Sequence, residues 1–446
     1  MNQFCARTGN GLSGIMSHLP RTLWILLLLG AVLRVAAIEL RPEGALFTAP
    51  DEPEYLAIAE SIAAGNGFAF YGEPTAYRDM LFPSLAGGLM AMVGSECVVF
   101  YLQLLLDLGT ALLLFLIVRR HRSESAALMA GAFWLLYPAA VLFTALFLTE
   151  TLFVFLWVLA LYVYDRIDPD NAARVSLILG LILGLLLLTR ATGVILVLAL
   201  VLHLLFRRHY RTATVMLVVM LVVILPWMMR NASVMGSFSL NTNSGINLYQ
   251  GNNPYATGAY RFDDPVTAPL EFGKLKEAGR NQRATRLSLE YIRSFPVQTL
   301  ALWPRKLAYF WSTDVSLWAH YAARPGVSLA ARLRALPWTS LAVTAAVYIA
   351  LVMTGVAGLG LSTTAPLRGV LIAQIGLATL SAFATYGLAR YHYPLMPALI
   401  IGAASLQQPG MWRSASAARR VITALILLFL VAVWGAEMFT IAMAES

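Results

Sequence analysis

The chain has 446 residues, of which 59% are hydrophobic and only 12% are charged. Soluble globular proteins average roughly 45–50% apolar and about 25% charged residues, and several apolar runs here reach the roughly 20 residues that span a bilayer. The composition therefore excludes a soluble protein and predicts an all-α polytopic membrane protein. The net charge of +9 does not indicate a nucleic-acid partner, because many basic residues lie in short loops between apolar runs.

Eleven apolar segments are predicted to cross the membrane as helices, because each is long and strongly apolar. Residues 81–94 are shorter and rich in glycine, so we predict a re-entrant or interfacial helix there instead of a crossing. The predicted spans lie near 22–40, 98–118, 125–146, 151–165, 174–189, 191–206, 212–229, 338–359, 367–388, 393–407 and 420–442.

The basic residues predict the orientation of these spans. Short loops rich in Lys and Arg stay in the cytoplasm, and a cytoplasmic N-terminus puts every such loop of this chain on one side. The chain then divides into a transmembrane core at 1–229, with a first outer loop at 41–97, an outer region at 230–337 and C-terminal spans at 338–446. The basic clusters lie at 119–122, 164–166, 207–211, 367–369 and 418–420.

The outer region at 230–337 departs from membrane composition. It begins with a polar stretch rich in Gly, Asn and aromatic residues. An amphipathic basic helix is predicted from about 270 to 295. Residues 296–312 combine aromatic residues with a Lys/Arg pair, a pattern typical of an interfacial segment.

The first outer loop contains "TAPDEPEYLAIAESIAAGNGF", beginning at Thr48, with two adjacent acids at Asp51 and Glu52. One interpretation is structural: Asp51 caps an amphipathic helix, Glu54 completes a capping box, and the Gly-Asn-Gly at 65–67 ends the helix. The other is functional, because acids at such a place also bind metals or take protons. The residues of this loop leave both interpretations open.

Three more charged residues are predicted at the same outer level: Glu150, Arg190 and Arg78. Glu150 has a structural interpretation in the first turn of a span, where the helix dipole favours an acid, and each arginine alone suits a membrane surface. Together they suit a lipid-linked phosphate sugar. Arginine binds phosphate and stabilises the leaving group, while a carboxylate deprotonates the acceptor hydroxyl.

Asp107 lies midway along the second span, where an acid needs a partner. We predict a structural hydrogen-bonding role for it, because it lies deeper than the proposed site. Arg34 and Glu39 in the first span are poor partners for each other, because five residues turn a helix by about 140°.

The run from Asp51 to Gly94 resembles the first outer loop of GT-C glycosyltransferases, of the protein O-mannosyltransferase and lipid A aminoarabinose-transferase type. Phe82-Pro83 stands where this family usually has Tyr-Pro, and Asp79-Met80-Leu81 replaces a more usual Pro-rich run. Further similar motifs follow in the family's order: "LTE" at 148–150, "LTRATG" at 188–193, "GINLYQGNNPYATG" at 245–258 and "ARYHYPLMP" at 389–397.

The resemblance implies a GT-C fold and a role for eight residues. Asp51 matches the family's catalytic base, Glu52 is its neighbour, and Glu150 matches a second acid that contacts metal or helps position the acceptor in some relatives. Tyr391 and His392 are implied contacts for acceptor or phosphate, with a structural role as the alternative for His392. The residues matched to donor phosphate binding are Arg78, Arg190 and Arg390.

The expected activity is inverting transfer of a monosaccharide from a polyprenyl-phosphate donor to an envelope glycan, lipid or lipopolysaccharide. The expected place is a bacterial inner membrane, with the active site in the periplasm. Protein O-glycosylation is an alternative acceptor chemistry, and a lipid-linked sugar flippase is an alternative of another class. No cofactor is implied firmly; a divalent metal at Asp51 and Glu150 stays open.

Overall fold

The chain is seen here in a computed structural model that describes residues 19–41, 51–261, 263–272, 274–321, 336–407 and 410–443. Nearly all regular structure in these residues is helical, which confirms the all-α class. One antiparallel pair of two-residue strands, β1 (Ala69–Phe70) and β2 (Glu73–Pro74), lies in the first outer loop. Residues 42–50 of that loop and 322–335 of the outer region lie outside the described residues.

The transmembrane core and first outer loop contain ten helices among the described residues. They are α1 (Arg21–Glu39), α2 (Glu52–Ala63), α3 (Leu81–Val93), α4 (Cys97–His121), α5 (Glu124–Leu135), α6 (Pro138–Thr144), α7 (Glu150–Tyr164), α8 (Ala172–Thr189), α9 (Val194–Phe206) and α10 (Tyr210–Met235).

The outer region and the C-terminal spans contribute eleven more within the described ranges. They are α11 (Ser244–Gly251), α12 (Asp264–Thr267), α13 (Glu277–Ser294), α14 (Pro296–Ala301), α15 (Trp303–Phe310), α16 (Val315–Tyr321), α17 (Trp338–Leu361), α18 (Arg368–Ala384), α19 (Met396–Ala404), α20 (Met411–Ser414) and α21 (Ala417–Met443).

Every predicted span overlaps at least one helix, but the helices differ in length. Six of them, in the part of the chain that the structure describes, are long and apolar enough to cross a membrane: α1, α4, α8, α10, α17 and α21. A seventh crossing results if α5 and α6 form one span, which bends by 53° at Pro138, because proline interrupts a helix. The remaining predicted spans are shorter helices, so the total of eleven crossings stays a prediction.

The outer region differs from its predicted form at one boundary. The basic helix predicted from about 270 begins at Glu277 as α13, and residues 264–270 form the short α12 and one 3₁₀ turn. Glu277 accepts hydrogen bonds from Thr75 Oγ1 at 2.7 Å and Ala76 N at 2.9 Å, and another from Thr242. This carboxylate therefore connects the outer region to the first outer loop.

A buried ion pair joins α1 to α4. Arg34 Nε donates to Asp107 Oδ2 at 2.6 Å, Trp134 Nε1 donates to Asp107 Oδ1 at 3.0 Å, and the arginine also donates to two backbone carbonyl oxygens. Both charged side chains are at most 1% exposed. Asp107 thus has the structural hydrogen bonds predicted for it, and Glu39 is bonded instead to the Tyr101 hydroxyl.

Breaking this ion pair is expected to destabilise the bundle. Asp107→Leu leaves Arg34 buried without a carboxylate, which lowers the free energy of unfolding by about 3–5 kcal/mol. The double variant Arg34→Met/Asp107→Leu removes both charges and should recover most of that loss. Denaturant unfolding in detergent measures both variants, and equal destabilisation of the single and the double variant would contradict the ion-pair explanation.

Candidate active site

Asp51 occupies the position before α2, but its side chain makes no capping hydrogen bond. Its carboxylate instead accepts from two arginines, with Arg78 Nη2 at 2.7 Å from Oδ1 and Arg390 Nη1 at 2.6 Å from Oδ2. The side-chain capping interpretation is therefore wrong. Burial raises the pKa of Asp51, but Arg78 and Arg390 outweigh burial and hold the pKa well below its usual range.

The two arginines extend this contact into a network. Arg390 Nε also donates to Glu150, and Arg190 Nη1 donates to both Glu150 Oε1 and Thr149 Oγ1. At the other end, Arg78 Nε donates to Glu54 Oε2 at 2.7 Å. The ion-pair network therefore runs through six side chains: Glu54, Arg78, Asp51, Arg390, Glu150 and Arg190.

Breaks in the helices position the network. Arg190 adopts an extended conformation between α8 and the 3₁₀ turn Ala191–Gly193, so α8 stops and the side chain turns towards Glu150 at the start of α7. Arg390 lies in a second 3₁₀ turn, Ala389–Tyr391, after α18. The charged side chains of the network thus come from four segments that are far apart in sequence: the first outer loop and the segments around Glu150, Arg190 and Arg390. The sequence predicted only that charged residues lie at the same outer level of the membrane.

The three arginines of the network have N–H donors that the network does not use. A guanidinium carries five N–H donors on three nitrogens, and within the described residues Arg78 uses Nε and Nη2, while Arg390 uses Nε and Nη1. Arg190 uses Nη1 alone. Each side chain is 14–17% exposed, so at least one nitrogen of each remains to bind an anion.

Two hollows meet at this network. The first, the polar cavity, has a volume of about 210 Å³, and the second, the apolar cleft, about 240 Å³. The apolar cleft passes between α7, α9 and α18, with Phe153, Trp157, Val194 and Ala378 on its walls. Both hollows share five lining residues: Arg190, Thr192, Asn247, Arg390 and Tyr391.

The polar cavity contains one acid that the sequence analysis did not assign to the site. Asp79 lines it and accepts a hydrogen bond from Asn241 Nδ2 at 2.8 Å. Burial raises the pKa of Asp79 to about 6, against the opposing effects of the Asn241 hydrogen bond and of Arg190. The sequence did contain one indication of Asp79. At Asp79-Met80-Leu81 the chain departs from the Pro-rich run that is more usual in the family, and this departure places an acid directly after Arg78.

Glu52 lines neither hollow. It is fully buried and accepts hydrogen bonds from Arg41 Nη2, at 2.9 and 3.1 Å, and from the Phe147 backbone N–H at 2.6 Å. These contacts fix the start of α2, and with it the position of Asp51. A catalytic role for Glu52 itself stays a prediction.

Tyr391 and His392 are adjacent in sequence but lie in different surroundings. Tyr391 lines both hollows, and its hydroxyl lies 2.5 Å from that of Tyr386. His392 is fully buried, with Nδ1 at 2.5 Å from Phe310 O, Nε2 at 3.0 Å from Asp314 Oδ1, and its ring stacked on Trp311. This placement is that of a structural histidine, the alternative considered for His392.

The site does not suit a divalent metal at Asp51 and Glu150. Both carboxylates are bonded to Arg390, and each has a further arginine partner, so a cation would have to displace guanidinium groups. No cluster of three or more His, Cys, Asp or Glu side chains with metal-binding geometry occurs among the described residues. The donors present suit an anion instead.

A comparison with protein families gives one match. Residues 81–229, about a third of the chain, match the family described as dolichyl-phosphate-mannose-protein mannosyltransferase. The resemblance that the sequence indicates is confirmed over this part. The matched segment includes Glu150 and Arg190, whereas Asp51, Arg78 and Arg390 lie outside it. Among curated proteins, none matches this chain.

Several solved structures are similar to this chain. ArnT from Cupriavidus metallidurans bound to undecaprenyl phosphate is 14% identical, with a TM-score of 0.46 over 88% of this chain and 79% of ArnT. The oligosaccharyltransferase of Archaeoglobus fulgidus, tethered to an acceptor peptide, is 15% identical, with a TM-score of 0.47 over 92% of this chain. This chain spans only 54% of that archaeal enzyme.

Proposed function

We propose that this protein is a glycosyltransferase that takes a monosaccharide from a polyprenyl-phosphate donor. The observation that carries the proposal is the placement of Arg190 and Arg390 at the junction of the polar cavity and the apolar cleft, with Arg78 beside them in the polar cavity. A lipid-linked sugar has the same three parts in the same order: an apolar tail, a phosphate and a sugar. The family match over residues 81–229 supports the same chemistry.

The donor phosphate binds at the junction of the two hollows. Arg190 and Arg390 line both hollows and have unused N–H donors, and Arg78 joins them from the polar side. Charge-assisted hydrogen bonds from arginine to phosphate are roughly twice as strong as neutral ones. The tail then lies in the apolar cleft between α7, α9 and α18, and the sugar lies in the polar cavity.

Transfer requires a base, an in-line attack and a stabilised leaving group. Asp51 takes the proton of an acceptor hydroxyl, whose oxygen forms a bond to the anomeric carbon. The bond from that carbon to the phosphate oxygen breaks, and its electron pair leaves with the polyprenyl phosphate. The arginines then meet one more negative charge than in the donor, so they stabilise the transition state more than the ground state.

Donor binding also prepares the base. The phosphate competes with Asp51 for Arg78 and Arg390, and each guanidinium group that turns to the phosphate relieves the lowering of the Asp51 pKa. A general base is most effective when its pKa lies near the working pH. The carboxylate is therefore a weak base in the free protein and a stronger one in the donor complex.

Mass spectrometry of the donor tests the proposed function. Purified protein is incubated with undecaprenyl-phosphate mannose or glucose and with a crude envelope glycolipid fraction. We expect undecaprenyl phosphate to appear together with a glycolipid that is heavier by one hexose. A donor that binds but stays intact under these conditions would contradict transfer and favour a flippase or carrier.

We propose that the acceptor is an envelope glycan or lipid at the periplasmic face of a bacterial inner membrane, and the same assay identifies the acceptor. Protein O-glycosylation remains the other acceptor chemistry within this proposal. A hexose found on serine or threonine peptides in place of glycolipid would identify it.

A further inference from the structure

One wall of the polar cavity is made of neutral polar side chains from the outer region. Asn243, Ser244, Asn247 and Gln250 project from α11 and the residue before it, and Tyr260 follows in the next loop. Amide and hydroxyl groups offer both donors and acceptors, and tyrosine adds an apolar ring face with a polar tip. This combination suits a ring that carries hydroxyl groups.

Gln250 has an unused acceptor at this wall. The residue is 3% exposed, and its side-chain oxygen Oε1 is buried and has no hydrogen-bond partner among the described residues. A buried acceptor without a partner costs free energy of about 1–3 kcal/mol. A hydroxyl donor bound in the cavity that Gln250 lines would satisfy this atom once the side-chain amide turns its oxygen towards the cavity.

Among the described residues that line the polar cavity, Asp79 is the charged residue that does not belong to the ion-pair network. Of the described residues that line the cavity, only Asp51, Arg78, Arg190 and Arg390 are also charged, and these four belong to the network. Asp79 forms its side-chain hydrogen bond with the neutral Asn241. Its carboxylate can accept hydrogen bonds from sugar hydroxyl groups, but it repels a second carboxylate.

The donor sugar must lie in this cavity, given the proposed function on which this step rests. The sugar is joined directly to the phosphate, and the phosphate site opens into the polar cavity. The volume of about 210 Å³ lies below the roughly 300–1,000 Å³ of pockets for larger small molecules. The space therefore suits a single sugar ring.

We propose that Asp79 and Gln250 form the subsite for the donor sugar and select a non-acidic monosaccharide. Gln250 Oε1 and the Asp79 carboxylate each accept a hydrogen bond from a sugar hydroxyl. A uronic acid brings its own carboxylate towards Asp79 and is rejected. Both residues are specificity-determining and neither takes the proton that leaves the acceptor.

Binding without acceptor tests this subsite. The probes are undecaprenyl phosphate alone and undecaprenyl phosphates carrying glucose, galactose, glucuronate or galacturonate, with affinities measured in nanodiscs at pH 7.5. Each uronate differs from its neutral partner only at C6. We expect wild type to bind the neutral donors at least about tenfold more tightly than the uronates, which corresponds to about 1.4 kcal/mol.

Two variants and one control variant separate the contributions of Asp79 and Gln250 to binding of the donor sugar. Asp79→Asn should bring the ratio of neutral to uronate affinity below threefold, and Gln250→Leu should weaken the neutral donors by about two- to tenfold. Gln250→Leu should leave the affinity for undecaprenyl phosphate alone unchanged, and Asp79→Asn, which removes a negative charge near Arg190 and Arg78, should not weaken it. Asp263→Asn, an acid outside the cavity whose side chain is 44% exposed, should behave as wild type.

The pH dependence of the ratio of neutral to uronate affinity is a further readout, because a purely structural role of Asp79 would not make this ratio depend on pH. The pKa of Asp79 is raised to about 6 by burial, against Asn241, Arg190, the Ala191 backbone and Arg78. Asp79 therefore loses its charge below about pH 6, and wild type should bind uronate donors relatively better at pH 5 than at pH 7.5. In Asp79→Asn the ratio should be the same at both values.

Three results would overturn the subsite. One is an unchanged affinity ratio in Asp79→Asn; another is tighter binding of uronates by wild type. The third is unchanged donor affinity in both variants together with a raised KM for the acceptor in the transfer assay, which would assign the wall to an acceptor sugar. Failure of wild type to bind undecaprenyl phosphate alone would instead contradict the proposed function.

Discussion

Asp51→Asn is expected to lower kcat by about 10²–10⁴-fold, the usual contribution of a general base. Asparagine keeps the shape of the side chain but cannot take the proton of the acceptor. Donor binding should be equal or tighter, because Arg78 and Arg390 lose the carboxylate that competes with phosphate for them. Single-turnover transfer and the Kd for undecaprenyl phosphate measure the two effects separately.

The matched control is Glu60→Gln, which removes an exposed acid from the same helix and should leave transfer unchanged. A pH profile adds a second check. Since donor binding raises the Asp51 pKa, the acid limb of kcat should lie at higher pH than that of kcat/KM, which reports the free enzyme. Substantial transfer by Asp51→Asn would reject Asp51 as the base.

Arg390→Ala is expected to have the other large effect, because Arg390 contacts both Asp51 and Glu150 and lines both hollows. A hydrogen bond to a charged group contributes about 1.5–3 kcal/mol, so undecaprenyl phosphate should bind roughly 10–150-fold more weakly. Transfer should fall further, because less of the leaving-group charge is stabilised. Equilibrium binding and steady-state transfer check these two losses.

Loss of stability must be separated from loss of phosphate binding. Arg390→Ala leaves two acids without their shared cation, which destabilises the fold; Arg390→Ala/Glu150→Gln removes one of them and should regain stability without regaining donor affinity. Arg390→Lys keeps the charge but not the planar fork and should lie between wild type and Arg390→Ala. Wild-type donor affinity in Arg390→Ala would place the phosphate elsewhere.

The helical class and many of the helices could be predicted because apolar length is a local property. The break at Pro138, which bends α5 against α6 by 53°, was less predictable, because an apolar run continues through it. The start of α13 in the polar outer region was also misplaced, since amphipathic spacing is weaker evidence than a long apolar run.

The site was predictable as a set of residue types and less so as a geometry. The motif order around Asp51, Glu150 and Arg390 identified the charged residues, but local spacing wrongly suggested a capping role for the Asp51 side chain. Asp79 was noticed only as a departure from a motif. Gln250 lay in a recognised motif without a role, because its buried, unpaired oxygen appears only once α11 is packed.

The sequence by itself determined that this is a helical membrane protein with acids and arginines in its polar loops, because hydropathy and charge belong to each residue. Only the tertiary structure decided which charges meet: Asp51 with Arg78 and Arg390, Arg34 with Asp107, and Glu52 with Arg41. Ion pairing depends on distances of a few ångströms between segments far apart in the chain. Those distances follow from how the helices end and pack.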